Sequence, residues 1–163
     1  MFKGVESASG SSDPGTFSPE QNSEYEAFLR TTVVSGCVRL IHEPAESASE
    51  GGEPGESRTL ATEVEVADTF FARMRGLMFR RSIPEGYALV FRFERPSTRS
   101  LHMLFVPFPI DAVWLVDGEV TQVERLQPWV GFAWAWADVI LELPAGAAEG
   151  IEPGDRVRLD RSG

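Results

Sequence analysis

Two residues in the stretch Leu101 to Val116, LHMLFVPFPIDAVWLV, could do chemistry. On an alternating strand His102 shares a face with Ser100 and Leu104, and Asp111 lies at the turn before the next apolar run. The two could meet across a hairpin mouth, where a carboxylate would orient a neutral imidazole for base chemistry or help to hold a metal. The competing reading is structural: Asp111 caps the turn by accepting backbone amides and His102 is a half-buried core residue. The residue types favour the structural reading. A zinc site needs three or four ligands, and His42 and Cys37 are the other His and Cys of the chain, too sparse a set for a metal.

The arginines suggest a different chemistry. Between residues 73 and 99, Arg73, Arg75, Arg80, Arg81, Arg92, Arg95 and Arg99 face Glu85 and Glu94, a local excess of 7 − 2 = +5 in an acidic protein. Guanidinium forks bind carboxylate or phosphate in bidentate fashion, so Arg75 and Arg99 are candidates for an anionic small-molecule site. The alternative is an exposed face that pairs with an acidic loop at residues 43–57. The segment QPWVGFAWAWAD holds Trp129, Phe132, Trp134 and Trp136. Trp134 and Trp136 lie two apart and project to the same side of an extended chain, where exposed rings would stack on a sugar or meet a protein partner. Against this stands a lid, a loop folding its rings over an open barrel end, and the lid is the favoured expectation. No Gly-rich phosphate loop, nucleophile elbow or Cys-His arrangement is present, so no catalytic residue and no cofactor is assigned.

These residues need a scaffold, and composition bounds it. A chain of 163 residues with 42% hydrophobic content builds one ordinary core. Lys and Arg total 15 against 25 Asp and Glu, and the net charge of −10 argues against nucleic acid and anionic membranes. All but Lys3 of the cations are arginine, as in a salt-adapted cytosol or a GC-rich genome. Residues 1–37 are poor in bulky apolar groups and rich in Ser, Gly, Pro and Glu, so they read as a disordered acidic tail or a start placed too early. Cys37 follows Val34-Ser35-Gly36 like a lipoprotein signal, but Glu20, Glu24, Glu26 and Arg30 occupy the place of an apolar run. The opening stretch is too short for a membrane helix and is broken by Pro107 and Pro109. A soluble, cytoplasmic protein is expected.

Strand signals run at Val38–His42, Thr62–Ala67, Tyr87–Phe93, Ser100–Val106, Ala112–Val116, Glu119–Leu126, Val139–Leu143 and Arg156–Leu159. Asp117-Gly118 is a type I′ hairpin signal. One short helix is predicted at about 69–75, capped by Asp68 or Thr69 and closed by Gly76. The expected fold is mainly β: a compact sandwich or barrel of seven to eight short strands with that helix, as one domain over 38–160 with a flexible acidic loop at 43–57.

Arg75-Gly76-Leu77-Met78-Phe79-Arg80, preceded by Val64-Glu65-Val66-Ala67-Asp68-Thr69, resembles the signature of domain-of-unknown-function family 192, with a leaning to its salt-adapted archaeal branch. Leu89-Val90-Phe91, Leu141-Glu142-Leu143, Ala145-Gly146 and Gly154-Asp155 followed by Val157 continue the match in order. The resemblance implies a compact β-rich domain with no settled activity. The family pattern of phenylalanine, tryptophan, methionine, lysine, asparagine and threonine reads here Leu101, His102, Met103, Leu104, Phe105 and Val106, with Pro109 and Asp111 retained. A ligand held by the three polar groups is lost here, or His102 takes over part of the contact.

The resulting expectation is a small-ligand (anionic or sugar-like) or partner-binding module, its site near Arg75, Arg99, His102, Asp111, Trp134 and Trp136. The alternatives are a hydrolase or metal-dependent enzyme using His102 and Asp111, and a protein-docking subunit.

Overall fold

The computed structural model describes residues 38–45, 56–67 and 76–160. Eight strands form one sheet: β1 Arg39–Glu43, β2 Arg58–Ala61, β3 Glu63–Ala67, β4 Tyr87–His102, β5 Ile110–Val116, β6 Glu119–Leu126, β7 Phe132–Pro144 and β8 Arg156–Asp160. Their order is β2-β1-β8-β6-β5-β7-β4-β3, antiparallel throughout except for the parallel β3–β4 pair. β2 and β3 stand at opposite ends of that order, yet only Thr62 separates them in the chain. Consecutive Cα atoms are about 3.8 Å apart, so the two ends of the sheet must meet and the sheet rolls into a barrel. The carbonyl of Gly86 fastens the seam, accepting from Thr62 N (2.8 Å) and Glu63 N (3.0 Å).

Alternation divides the central strands between two cores. Inside the barrel, Val113 and Leu115 of β5, Val139, Leu141 and Leu143 of β7, and Ala88 and Val90 of β4 pack with Leu40, Val120 and Val157. On the outer face, Ala112 and Trp114, Ile140, Leu89 and Phe91 form a second cluster. Both faces are covered, which is why these strands read as continuous apolar runs. The second core is roofed by Leu77, by Met103 and Val106, and by Ala133 and Ala137.

Those alanines belong to an element the sequence reading did not anticipate. Beyond Asp138, β7 leaves β5 and pairs with β4 alone, Ser97 to His102 lying opposite Ala137 to Phe132 as a two-stranded ribbon. The expected aromatic loop is therefore strand. Its period of two was present in Phe132-Ala133-Trp134-Ala135-Trp136-Ala137: the small residues turn inward and the large ones outward. Nor does Glu94-Arg95-Pro96 end β4. The ladder slips between Arg92 and Ser97, and Pro96 sits in that unpaired stretch, where its missing N–H breaks no ladder bond. The expected Ser100–Val106 strand ends at His102, and β2 lies between the expected 43–57 loop and the expected Thr62–Ala67 strand, in residues to which the sequence reading assigned no element. The helix at 69–75 falls outside the described residues, as do the 1–37 tail and most of the acidic loop. Asp117 and Gly118 have φ of 50° and 80°, as a type I′ turn requires. Among the described residues no helix is long and apolar enough to cross a membrane.

Gly86 holds the seam with φ of +75°, and a Cβ there would lie 3.4 Å from Thr62 Oγ1. Gly86→Ala is expected to lower unfolding stability by about 1–2 kcal/mol, the strain of an L-residue in the left-handed region. Urea unfolding followed by circular dichroism measures it; an unchanged midpoint would show that the seam tolerates a side chain.

Candidate functional site

Glu142 is a polar intruder in the outer apolar layer. It stands opposite Ala112 on one side and Leu89 on the other, 4% exposed. Its Oε2 has no hydrogen-bond partner among the described residues. Burial pushes its carboxyl up to about 8, against an opposing pull from Arg80, and so favours the protonated form. A Cβ on Gly76 would come within 3.9 Å of both its carboxyl oxygens and 3.4 Å of Phe91 Cζ. Nearby on the same face, Arg80 donates to both Glu65 oxygens (2.9 Å each) and to the Tyr87 hydroxyl (3.0 Å), which itself donates to Glu65 Oε2 (2.7 Å). Burial first, then the Glu65 carboxylate, raises the Tyr87 phenol well above its ordinary value. Tyr87 is a locked proton donor here.

The two residues that opened the sequence reading are not brought together as a pair. Asp111 is 2% exposed and accepts Arg125 Nε (2.7 Å) and Nη2 (3.2 Å), Gly146 N (2.7 Å) and Ala148 N (3.1 Å). Burial alone would raise its carboxyl, but these donors hold it below the usual carboxylate range. Asp111 ties β5 to β6 and to the turn after β7. His102 is exposed at the ribbon end, opposite Phe132. The other histidine is buried: His42 Nε2 lies 2.7 Å from Asp155 Oδ2, and Asp155 also accepts Ala45 N and Glu152 N. Arg75 falls outside the described residues. Arg99 spreads over the Phe93 ring at 3.8 Å and donates to the Arg95 carbonyl. Among the described residues no three His, Cys, Asp or Glu side chains gather as a metal site.

What the fold does gather is aromatic. Phe132, Trp134 and Trp136 are 57%, 60% and 58% exposed, so they do not form the expected lid. Their alanine neighbours take the inward positions, leaving the rings on the outer face with Thr98, Ser100 and His102 opposite them. Phe79, Leu104, Phe105, Trp129 and Val130 complete the exposed large apolar side chains among the described residues. Loop contacts join them: Phe79 N donates to Phe105 O, the Phe79 and Phe105 rings stack at 5.0 Å, Trp129 N donates to Val106 O and Met103 N to Gly131 O. Phe79, Phe105 and Trp129 also have positive φ (65°, 60° and 66°). Each such residue carries about 1–2 kcal/mol of strain, which the Phe79–Phe105 stack offsets in part.

A cleft of about 560 Å³ opens beside this surface, between β6 and the ribbon. Gln122, Glu124, Arg125 and Gln127 supply its polar side, and Val130, Phe132 and Trp134 its apolar side. Thr121 Oγ1, donating to Trp136 O (2.9 Å), ties β6 to the ribbon. In the cleft lining, Gly131 fits so tightly that a Cβ would lie 2.7 Å from Gln127 O and from Met103 Cγ. Sequence reasoning found the rings but not Gln122, Glu124 or Gln127, which read as the wet face of an ordinary strand and its loop.

The DUF192 family model, described as Uncharacterized ACR, matches residues 53–159. The chain belongs to this family. Among its relatives, a UPF0127 protein of Pyrococcus horikoshii (PH1112) is 37% identical over 111 residues, 63% of this chain and 94% of that protein. A UPF0127 protein of Thermococcus sibiricus is 37% identical over 100 residues, 58% of this chain and 64% of that protein's length. Two crystal structures share the fold alone. A Sinorhizobium meliloti 1021 protein described as a candidate transcription regulator has a TM-score of 0.61 at 24% identity, over 78% of this chain and 97% of that one. A Novosphingobium aromaticivorans protein of unknown function has 0.59 at 22%, over 73% and 83%. The stretches by which the chain resembles DUF192 meet in space: Gly76, of the Arg75–Arg80 hexapeptide, lies against Glu142, of Leu141-Glu142-Leu143.

The carboxyl shifts predict the pH profile of this DUF192 domain. Glu142 is raised in the fold, so its contribution is fully present below its unfolded value near 4.5 and is lost as pH rises towards about 8. Asp111 and Asp155 are lowered, so theirs is present above about 4 and lost on further acidification. Glu142→Gln is expected to flatten the alkaline decline and add stability on the order of a few kcal/mol at pH 8, at ~1.4 kcal/mol per pKa unit. Asp111→Ala is expected to cost about 2–4 kcal/mol at pH 7 and to flatten the acid limb. Melting temperatures from pH 3 to 9 in moderate salt test both, and parallel profiles for wild type and Glu142→Gln would remove Glu142 as the source of the decline.

Proposed function

We propose that this domain is a binding module without catalytic chemistry of its own, and that its ligand enters the cleft between β6 and the ribbon against Phe132 and Trp134. One observation carries the reading: the exposed rings of Phe132 and Trp134 line a cleft that has polar groups along one wall. The cleft volume of about 560 Å³ falls in the range of small-molecule sites, and it combines rings with a few convergent polar groups. His102 lies at its edge, across the ladder from Phe132.

A docked protein is the second reading. The Phe79–Phe105 stack and Leu104 lie outside the cleft lining, and a ligand confined to the cleft would leave them wet. A cytoplasmic location belongs to the proposal, since the single cysteine, Cys37, forms no intramolecular disulfide and calls for no oxidising compartment.

The four tryptophans make the test direct. In ¹H–¹⁵N spectra of the full chain titrated with a library of small molecules and short peptides, binders are expected to move the indole signals of Trp134 and Trp129. Trp114, fully buried, should stay fixed. Shifts confined to Phe79, Leu104 and Phe105 would transfer the function to the protein-docking surface. Binders that perturb only the surroundings of Glu142 or His42, or a library without binders, would overturn the proposal.

A further inference from the structure

The cleft's own charges indicate what it accepts, and this inference rests on the binding reading above. Of the two charged side chains in its lining, Arg125 is already committed: its guanidinium grips Asp111 through Nε and Nη2, so the pair adds no net charge. Glu124 is the other. It stands opposite Ala112 in the β5–β6 ladder, which sends its side chain to the outer face of the sheet, on the same side as Leu126 opposite Ile110 and Gln122 opposite Trp114. That is the side from which the ribbon confronts β6. The Phe132 and Trp134 rings, which line the same cleft, have centroids 5.6 Å apart and planes inclined by 45°, so they present two faces at an angle rather than one flat stack.

An aromatic face carries negative electrostatic potential, and a carboxylate beside two such faces attracts a cation from both sides. An anion would meet repulsion from the same groups. Gln122 and Gln127 add amide oxygens that accept N–H donors. The net charge of −10 steers cations towards the protein at long range. We propose that the cleft is a receptor for an organic cation, an alkylammonium or guanidinium group, held between the Phe132 and Trp134 faces and the Glu124 carboxylate.

Tetramethylammonium, which cannot donate a hydrogen bond from nitrogen, isolates the ring and charge contributions, and tert-butanol is a neutral probe of similar shape. Titrated into the full chain at constant ionic strength, tetramethylammonium is expected to shift the Trp134 indole signal saturably, with tert-butanol weaker by about fivefold or more, the worth of ~1 kcal/mol of cation–π attraction. Glu124→Gln, at an exposed position, is expected to weaken tetramethylammonium binding severalfold and to leave tert-butanol unchanged. Trp134→Ala should abolish the saturable shift that tetramethylammonium causes at the backbone amides of Gly131 and Phe132, while the buried Trp114 indole signal reports an intact fold. Equal binding of the two probes, or Glu124→Gln without effect, would overturn the cation assignment. Saturation by glucose or acetate but not by tetramethylammonium would also overturn it, while leaving the cleft as the binding site. If no probe of any charge moves Trp134, the cation assignment and the cleft reading fall together.

Discussion

A single residue between two strands governs this architecture. Thr62 joins the two ends of an eight-stranded order, so the sheet cannot lie open. Once the ends meet, the one parallel pair among the described strands, β3 beside β4, follows: β3 leaves the seam in the direction that β4 takes from Gly86, and the Gly86 carbonyl receives the two N–H groups at the junction. Closure leaves β4, β5 and β7 with an inside and an outside, and the outside must be covered because its residues are as apolar as the inside ones. The ribbon is that cover. Its inward alanines permit close approach to the second core, and the outward rings are the consequence of the same alternation. The exposed ring surface is thus the reverse side of the element that protects the core.

Much of the fold was legible in the sequence for a physical reason: strand periodicity and turn chemistry are local. The Asp117-Gly118 turn needs only two residues to declare itself, and β5, β6 and β8 follow from short apolar or alternating runs. The misses were positions where local signals conflict with tertiary ones. Pro96 reads as a strand end until a slipped ladder accommodates it, and Arg58–Ala61 carries too short a pattern to declare a strand until β1 lies alongside. The aromatic segment carried the right pattern, but rings in such density suggest burial, and only the alanines between them reveal which side faces the core.

The site was less legible because it is made of distances. Asp111 was singled out for chemistry, but its partners Arg125, Gly146 and Ala148 lie far along the chain, and only their convergence makes it a clasp. Glu142 appeared as an ordinary strand carboxylate. Its burial follows from standing on the covered outer face, a property of the barrel rather than of its neighbours in sequence. Gln122 and Glu124 gain their meaning from a ribbon whose existence the sequence concealed.

The pairing of β1 with β8 places Arg39 opposite Asp160 and Glu43 opposite Arg156. The first and last strands are thus neighbours, and the buried contact of His42 with Asp155 repeats the connection at the side-chain level. β1 has no β8 to pair with until nearly the whole barrel has been made, so closing the barrel depends on contacts far apart in sequence, which are slow to form. The β5–β6 hairpin, whose two strands are adjacent in sequence, can form early and wait.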